Sequence, residues 1–224
     1  RLFVLDIVDP SNPIATGYTQ PFPDTLADIF LQGNYAYVAD NDGGLRIVKI
    51  SDPYNLWEVS TCEIPAPATD VAVSGKYAYV AASSEGLRVI DISDPTTPIE
   101  IGNASTPSEA NGVAVAGSYA YVITYSTGLR VFSIANPYQP IEISFLDTPS
   151  WGYSVTISGN YAYVADTFSG LRVIDISNPG TPIEVGFIDT PVGAWEVAIK
   201  DQYAYVADWT GGLRIINISN PMSP

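Results

Sequence analysis

Short apolar runs and short polar breaks alternate along this chain on a fixed beat. Leu45, Leu87, Leu129, Leu171 and Leu213 stand 42 residues apart, and each opens a run of the type Leu-Arg-Val-Ile-Asp-Ile. A Tyr-Ala-Tyr-Val run precedes each of them, starting at Tyr35, Tyr77, Tyr119, Tyr161 and Tyr203. Apolar residues do not recur at the i, i+3, i+4 spacing of a helix, so the runs predict strands. One period predicts four. The first, of the type Asp70–Ser74, turns tightly at Gly75 and Lys76 into the second, Tyr77–Ala81. A loop ending at Gly86 leads to the third, Leu87–Ile92. A corner stiffened by Pro95 and Pro98 then leads to the fourth, Ile99–Gly102. These are strands A to D, with A innermost.

The C run carries apolar groups on both faces. A sheet needs that when neighbours cover it on both sides, whereas a two-layer sandwich leaves one face polar. A strand-built period in the forties marks a β-propeller. The expected fold is therefore all-β: a propeller of 42-residue, four-stranded blades, about five of them, with one surplus strand. Residues 25–66, 67–108, 109–150 and 151–192 make full blades. Residues 1–24 hold strands C and D of a partial blade, and 193–224 hold A, B and C of another. The phrase Gly-Leu-Arg-Val-Ile-Asp-Ile-Ser, following Tyr-Ala-Tyr-Val-Ala-Asp, resembles the LVIVD repeat family, with five copies in phase over nearly the whole chain. The resemblance implies a propeller in a bacterial or archaeal surface or secreted protein. It implies no reaction, no cofactor and no catalytic residue.

Strand C is written six times, because Leu2–Val8 repeats it, while A, B and D are each written five times. A closed five-bladed ring would take the Pro13 segment as the missing outer strand of the last blade and leave Leu2–Val8 over. The alternative pairs Leu2–Val8 into the last blade and leaves Leu213–Ile218 over. A spare apolar strand is an aggregation template unless something covers it. Burying about four of its side chains is worth about 6–12 kcal/mol, and ordering about seven residues costs about 7–14 kcal/mol. A preformed groove with a hydrogen-bond ladder then decides the outcome. Three readings stand: the chain is a window on a longer array, the spare strand complements a neighbouring copy and propagates a fibre, or it folds onto the side of the ring. An assembly strand would depend on Leu2, Phe3, Val4, Leu5, Ile7 and Val8. The opening Arg1, in place of Met, reads as a processed chain or an excised segment.

Composition narrows the chemistry. With 24 acidic and 9 basic residues among 224, the net charge is −15, and five of the six arginines occupy one repeated position. No basic patch remains for phosphates, so neither nucleic acid nor an anionic membrane is an expected partner. No apolar run approaches the roughly 18 residues of a membrane span, so insertion is not expected. The acidic charge suits an extracellular or cell-surface protein. The chain has no histidine, which removes His-based triads, neutral-pH imidazole catalysis and His-containing metal sites. Its single Cys62 aligns with Ala104, Leu146 and Ile188 and reads as a buried small hydrophobe.

Chain direction puts the B–C loops and D–A segments on one face, where the copies differ most. Tyr125, Phe168 and Trp209 fall in the B–C loops, and Trp151, Tyr153 and Trp195 in the D–A segments. An aromatic, acidic face suits sugar rings or a docking protein, although rings packed over the blade tops would give the same pattern. Asp28, Asp70 and Glu196 open three of the five A strands and are weak candidates for a metal, since Gly112 and Ser154 interrupt the set. Asp40–Gly43 has a calcium-loop look but reads as a turn. Asn103 fits the glycosylation pattern on an outer strand; Asn217 fits it within strand C. The expected function is a non-catalytic structural or interaction propeller that assembles with copies of itself. The alternative is a monomeric recognition domain for a glycan or surface protein. No cofactor is expected.

Overall fold

A computed structural model describes residues 1–22 and 24–224. Strands β1 (Phe3–Asp6) and β2 (Ile14–Tyr18) form a two-stranded sheet of their own. Blade 1 is β3 (Asp28–Gln32), β4 (Tyr35–Ala39), β5 (Leu45–Lys49) and β6 (Trp57–Cys62). Blade 2 is β7 (Asp70–Ser74), β8 (Tyr77–Ala81), β9 (Leu87–Asp91) and β10 (Ile99–Ala104). Blade 3 is β11 (Ala110–Ala116), β12 (Tyr119–Thr124), β13 (Gly128–Ser133) and β14 (Ile141–Leu146). Blade 4 is β15 (Ser154–Ser158), β16 (Tyr161–Ala165), β17 (Leu171–Asp175) and β18 (Ile183–Ile188). Blade 5 is β19 (Glu196–Lys200), β20 (Tyr203–Ala207) and β21 (Leu213–Asn217), with a 3-10 turn at Trp209–Gly211. All pairings are antiparallel, as in a propeller. The A, B, C and D strands number five, five, six and five, the unevenness written in the sequence.

Each blade is held by its neighbours. Tyr37, Ala39, Leu45 and Ile47 on one face of blade 1 pack on Val71, Val73, Ala78, Val80 and Ile90 of blade 2. The same layers recur between blades 2 and 3, 3 and 4, and 4 and 5. The leucines that open the C strands, Leu45, Leu87, Leu129 and Leu171, are completely buried. Cys62 belongs to the first layer, as its alignment implies, and burial pushes its thiol pKa up.

Leu213 and Ile215 of blade 5 hold the positions of Leu45 and Ile47, yet are 64% and 62% exposed, with no further described blade packed on them. Closure by the Pro13 segment does not occur: β2 pairs with β1, and β21 pairs with β20 alone. The reason is local. Leu2 and Val4 pack on Ala36, Val38, Val48 and Leu56 of blade 1, so the β1–β2 pair docks as the outer half of a preceding blade. The first-turn strand residues Ile29 and Leu31 of blade 1, which an inner half would cover, are 40% and 62% exposed.

The glycine before each C strand records the same asymmetry. Gly44, Gly86, Gly128, Gly170 and Gly212 all have positive φ. A Cβ at Gly128 would press on the Leu146 carbonyl of β14, while at Gly212 it meets open space. Gly212→Ala is expected to cost about 1–2 kcal/mol, the left-handed penalty alone. Gly128→Ala should cost roughly 2–5 kcal/mol, because overpacking is added. Urea unfolding of the two variants measures the difference.

Candidate functional site

The repeated arginine is the organiser of the loop face. Arg46, Arg88, Arg130 and Arg172 lie in the C strands with side chains 9–10% exposed. Each donates to a glutamate on its own D strand: Glu58 at 3.1 Å, Glu100 at 2.9 Å, Glu142 at 3.4 Å and Glu184 at 3.4 Å. These glutamates on the outermost strands are therefore ion-pair partners. Arg130 and Arg172 also lie 4.6 Å over the rings of Phe145 and Phe187. Toward the loops, Arg46 pairs with Asp40, Arg88 with Glu85, and Arg214 with Asp208.

Buried loop carboxylates then set the D–A segments. Asp166 accepts from Thr148 Oγ1 at 2.7 Å and from the Ser150 N–H at 3.0 Å, just before Trp151. Burial raises its pKa, against the pull of those bonds and of Arg172. Asp208 accepts from the Gly193 N–H at 2.7 Å and the Val192 N–H at 3.2 Å, just before Trp195. Burial works to raise its pKa, but the Gly193 N–H, Arg214, Thr190 and the Val192 N–H together bring it below the usual range. Backbone bonds finish the placement: Tyr153 N–H to the Ala165 carbonyl, and Trp195 N–H to the Ala207 carbonyl, at 3.0 and 2.9 Å.

The six aromatic residues singled out from the sequence meet in one continuous band across blades 3 to 5. Phe168 meets Trp151 edge-on at 5.6 Å, and Trp151 stacks on Tyr125 at 5.1 Å. Tyr125 meets Tyr153 edge-on at 6.3 Å, Tyr153 stacks on Trp195 at 4.1 Å, and Trp195 meets Trp209 at 4.5 Å. Phe168, Trp209 and Trp151 remain 66%, 61% and 43% exposed, the others half-buried. Burial, with Tyr125 and Glu109 nearby, pushes the Tyr153 hydroxyl pKa up. An apolar recess of about 340 Å³ lies among Trp195, Ala207 and Trp209. Trp209 has φ of 41°, at the loop position where Asn41, Ser83 and Thr167 also turn left-handed. For a bulky ring that backbone is strained.

The inner strands line a recess of about 330 Å³ that contains Asp28, Asp70, Ser154 and Glu196. The carboxylates accept from backbone N–H groups and a serine hydroxyl. Asp28 accepts the Val71 N–H at 3.2 Å, Asp70 accepts the Val113 N–H at 2.6 Å, and Glu196 accepts Ser154 Oγ at 2.5 Å. They stitch one inner strand to the next, and no metal-binding group of three or more gathers among the described residues. Asn103 is exposed on β10, whereas Asn217 Oδ1 accepts the Ser219 N–H at 2.9 Å within its own turn. Of the six predicted assembly residues, Leu2 and Val4 face blade 1, while Phe3, Leu5, Ile7 and Val8 are exposed.

The LVIVD repeat model matches the chain five times, at residues 26–63, 66–106, 107–148, 152–190 and 193–224. No curated protein matches it. The chain is similar to the crystal structure of a functionally unknown protein from Desulfotomaculum acetoxidans DSM 771, with 18% identity and a TM-score of 0.76 over 96% of this chain and 75% of that one. It is also similar to the computationally designed Ika8 protein, with 11% identity and a TM-score of 0.71 over 91% of this chain. The chain spans 62% of Ika8's length. The designed Ika4 protein matches over 70% of this chain and 95% of its own, with 11% identity and a TM-score of 0.58. At these identities the likeness shows the fold alone.

The channel carboxylates give a pH signature. Burial first, then the hydrogen bond and charge of Asp28, hold the Asp70 pKa well above its ordinary range. The folded value exceeds the unfolded one, so the charged form costs stability near neutral pH. That cost fades as pH falls toward the unfolded carboxylate range near ~4. Asp70→Asn, which keeps an acceptor for Val113, should raise the denaturation midpoint near neutral pH and show no gain at about pH 4. Denaturant titrations across that range check the sign.

Proposed function

The chain belongs to the LVIVD repeat family, and from that premise we propose that it is a non-catalytic recognition propeller, working outside the cell or at its surface, that stacks sugar rings on its aromatic band. One observation carries the reading: six rings spread over residues 125–209 in sequence form one unbroken band on the variable loop face. A band with three rings 43–66% exposed is more apolar than solubility alone favours. Flat indole and phenyl faces take the apolar face of a pyranose, and Glu109 beside Tyr153 offers an acceptor to hydroxyls. The bonds that Asp28, Asp70 and Glu196 accept from backbone N–H groups and from Ser154 Oγ support the non-catalytic reading. The surface location rests on the net charge of −15.

A second reading, assembly through the Leu2–Val8 strand, is favoured by its uncovered apolar side chains: Phe3, Leu5, Ile7 and Val8 are exposed. Copies of this chain are the first partners for that strand, since every blade-to-blade layer already joins two copies of the same repeat.

The two readings predict different losses. On a glycan array, the chain should bind a subset of glycans. Trp151→Ala and Phe168→Ala should each weaken that binding about tenfold, in line with one lost stacking contact. Tyr54→Ala, at an exposed C–D corner, should leave it unchanged. Glycan binding that ignores both aromatic substitutions counts against the recognition reading. In sedimentation velocity, assembly predicts concentration-dependent association that Leu5→Asp abolishes; a monomer at every concentration counts against it.

A further inference from the structure

The charges of this chain are sorted between its two faces. Chain direction places the end of β5, the β7–β8 turn and the end of β19 opposite the variable loops, and these hold all three lysines, Lys49, Lys76 and Lys200. Toward the loop face, the five C-strand arginines are each held by a carboxylate. Asp42, Glu63 and Glu109 are exposed on that face, with no basic partner among the described residues. The aromatic rings are sorted as well. Six of the nine bases, among them Lys49, Lys76, Arg130 and Arg172, lie over rings, and none of those rings belongs to the band. The band is thus an aromatic surface in an anionic setting, and no cation of this chain occupies its faces.

Glu109 brings the two patterns together. Its carbonyl accepts the Tyr125 N–H at 2.8 Å, which fixes the residue beside the middle of the band. Its charge reaches Tyr153, where it adds to the upward push of burial on the hydroxyl pKa. The exposed rings nearest to it are Trp151, stacked on Tyr125, and Phe168, edge-on to Trp151. This part of the band lies between blades 3 and 4, both complete with four strands. A ring face carries partial negative charge and draws a cation, and a nearby carboxylate adds to that pull.

We propose that the band selects cationic amino sugars, stacking the ring of a glucosamine unit on Trp151 or Phe168 with its ammonium group toward Glu109. This rests on the recognition reading and adds the class of sugar. An acidic sugar would bring its carboxylate against Glu109 and against the negative ring faces, so it is repelled. A neutral sugar meets Glu109 with hydroxyls alone. A basic peptide offers the same charge but lacks the apolar pyranose face that a flat indole takes.

The test measures four soluble oligomers against the whole chain by isothermal titration calorimetry, in mildly acidic buffer that keeps a free sugar amine protonated. They are oligoglucosamine, its fully N-acetylated form, oligogalacturonate and oligolysine. Oligoglucosamine should bind about fivefold more tightly than the N-acetylated form, the scale of one exposed cation–π contact. Oligogalacturonate should not bind, and oligolysine should bind more weakly than oligoglucosamine. Added salt should narrow the gap between the first two. Glu109→Gln should reduce that gap, while Trp151→Ala should weaken both sugars and leave oligolysine unaffected. Both variants change exposed side chains and should match the parent chain by circular dichroism. Asp201→Asn, the same change of charge in an exposed turn on the opposite face, should leave the preference intact. Equal binding of oligoglucosamine and its N-acetylated form overturns this inference and leaves the recognition reading standing. So does a preference untouched by Glu109→Gln, or oligolysine binding as tightly as oligoglucosamine. Binding of no sugar at all overturns both.

Discussion

Everything in this molecule depends on one contact: the apolar face of a blade against the apolar face of the next. Leucine at the start of strand C, the residue two places on, and the Tyr-Ala-Tyr-Val strand beside them form a layer that is dry only when another blade covers it. A blade by itself exposes both faces, so its stability is borrowed from its neighbours, as in other repeat proteins. The consequence runs from sequence to surface. Four interfaces bury their leucines completely, and the fifth copy of the same leucine is left 64% exposed. The β1–β2 pair follows the same rule from the other side, giving up any role in closure to cover Val38 and Val48 of blade 1.

The arginine bridges answer a different need. Burying four guanidinium groups in a strand-rich protein is tolerable only when each finds carboxylates. Each complete blade meets that need at two radii, with a loop acid or carbonyl on one side and a D-strand glutamate on the other. The bridge ties strand C to strand D, and the buried loop aspartates tie B–C loops to the segments that carry Trp151 and Trp195. The variable aromatic face thus stands on the most regular chemistry in the chain. The same loop position turns left-handed in Asn41, Ser83, Thr167 and Trp209, and the indole is the bulkiest side chain to occupy it.

Much of this was legible in the sequence, and for identifiable reasons. A repeat of 42 residues shows itself by identity in phase, so the strands, their uneven counts and the burial of Cys62 could all be read from alignment of the copies. The grouping of Tyr125, Trp151, Tyr153, Phe168, Trp195 and Trp209 followed from chain direction, which assigns loops to faces without any knowledge of contacts. Three features were not readable. The Arg–Glu pairing depends on the C–D register, including the bulge that shifts it, although the constant 12-residue spacing was a usable signal. Asp166 and Asp208 look like ordinary loop acids until the loops are folded over them. The choice of partner for β2 was hidden because all six C strands share the same apolar pattern.

The most direct test of the account is hydrogen–deuterium exchange resolved to single strands. The strand pairing predicts that the edge of β21 facing away from β20 exchanges rapidly, while β13 and β17, paired on both sides, are protected together with their blades. It also predicts that β2 is protected only through β1. Protection of β21 equal to that of β17, accompanied by loss of protection in β1, would mean that β2 has crossed to complete blade 5. The ring would then be closed through β2, contrary to the pairing of β2 with β1.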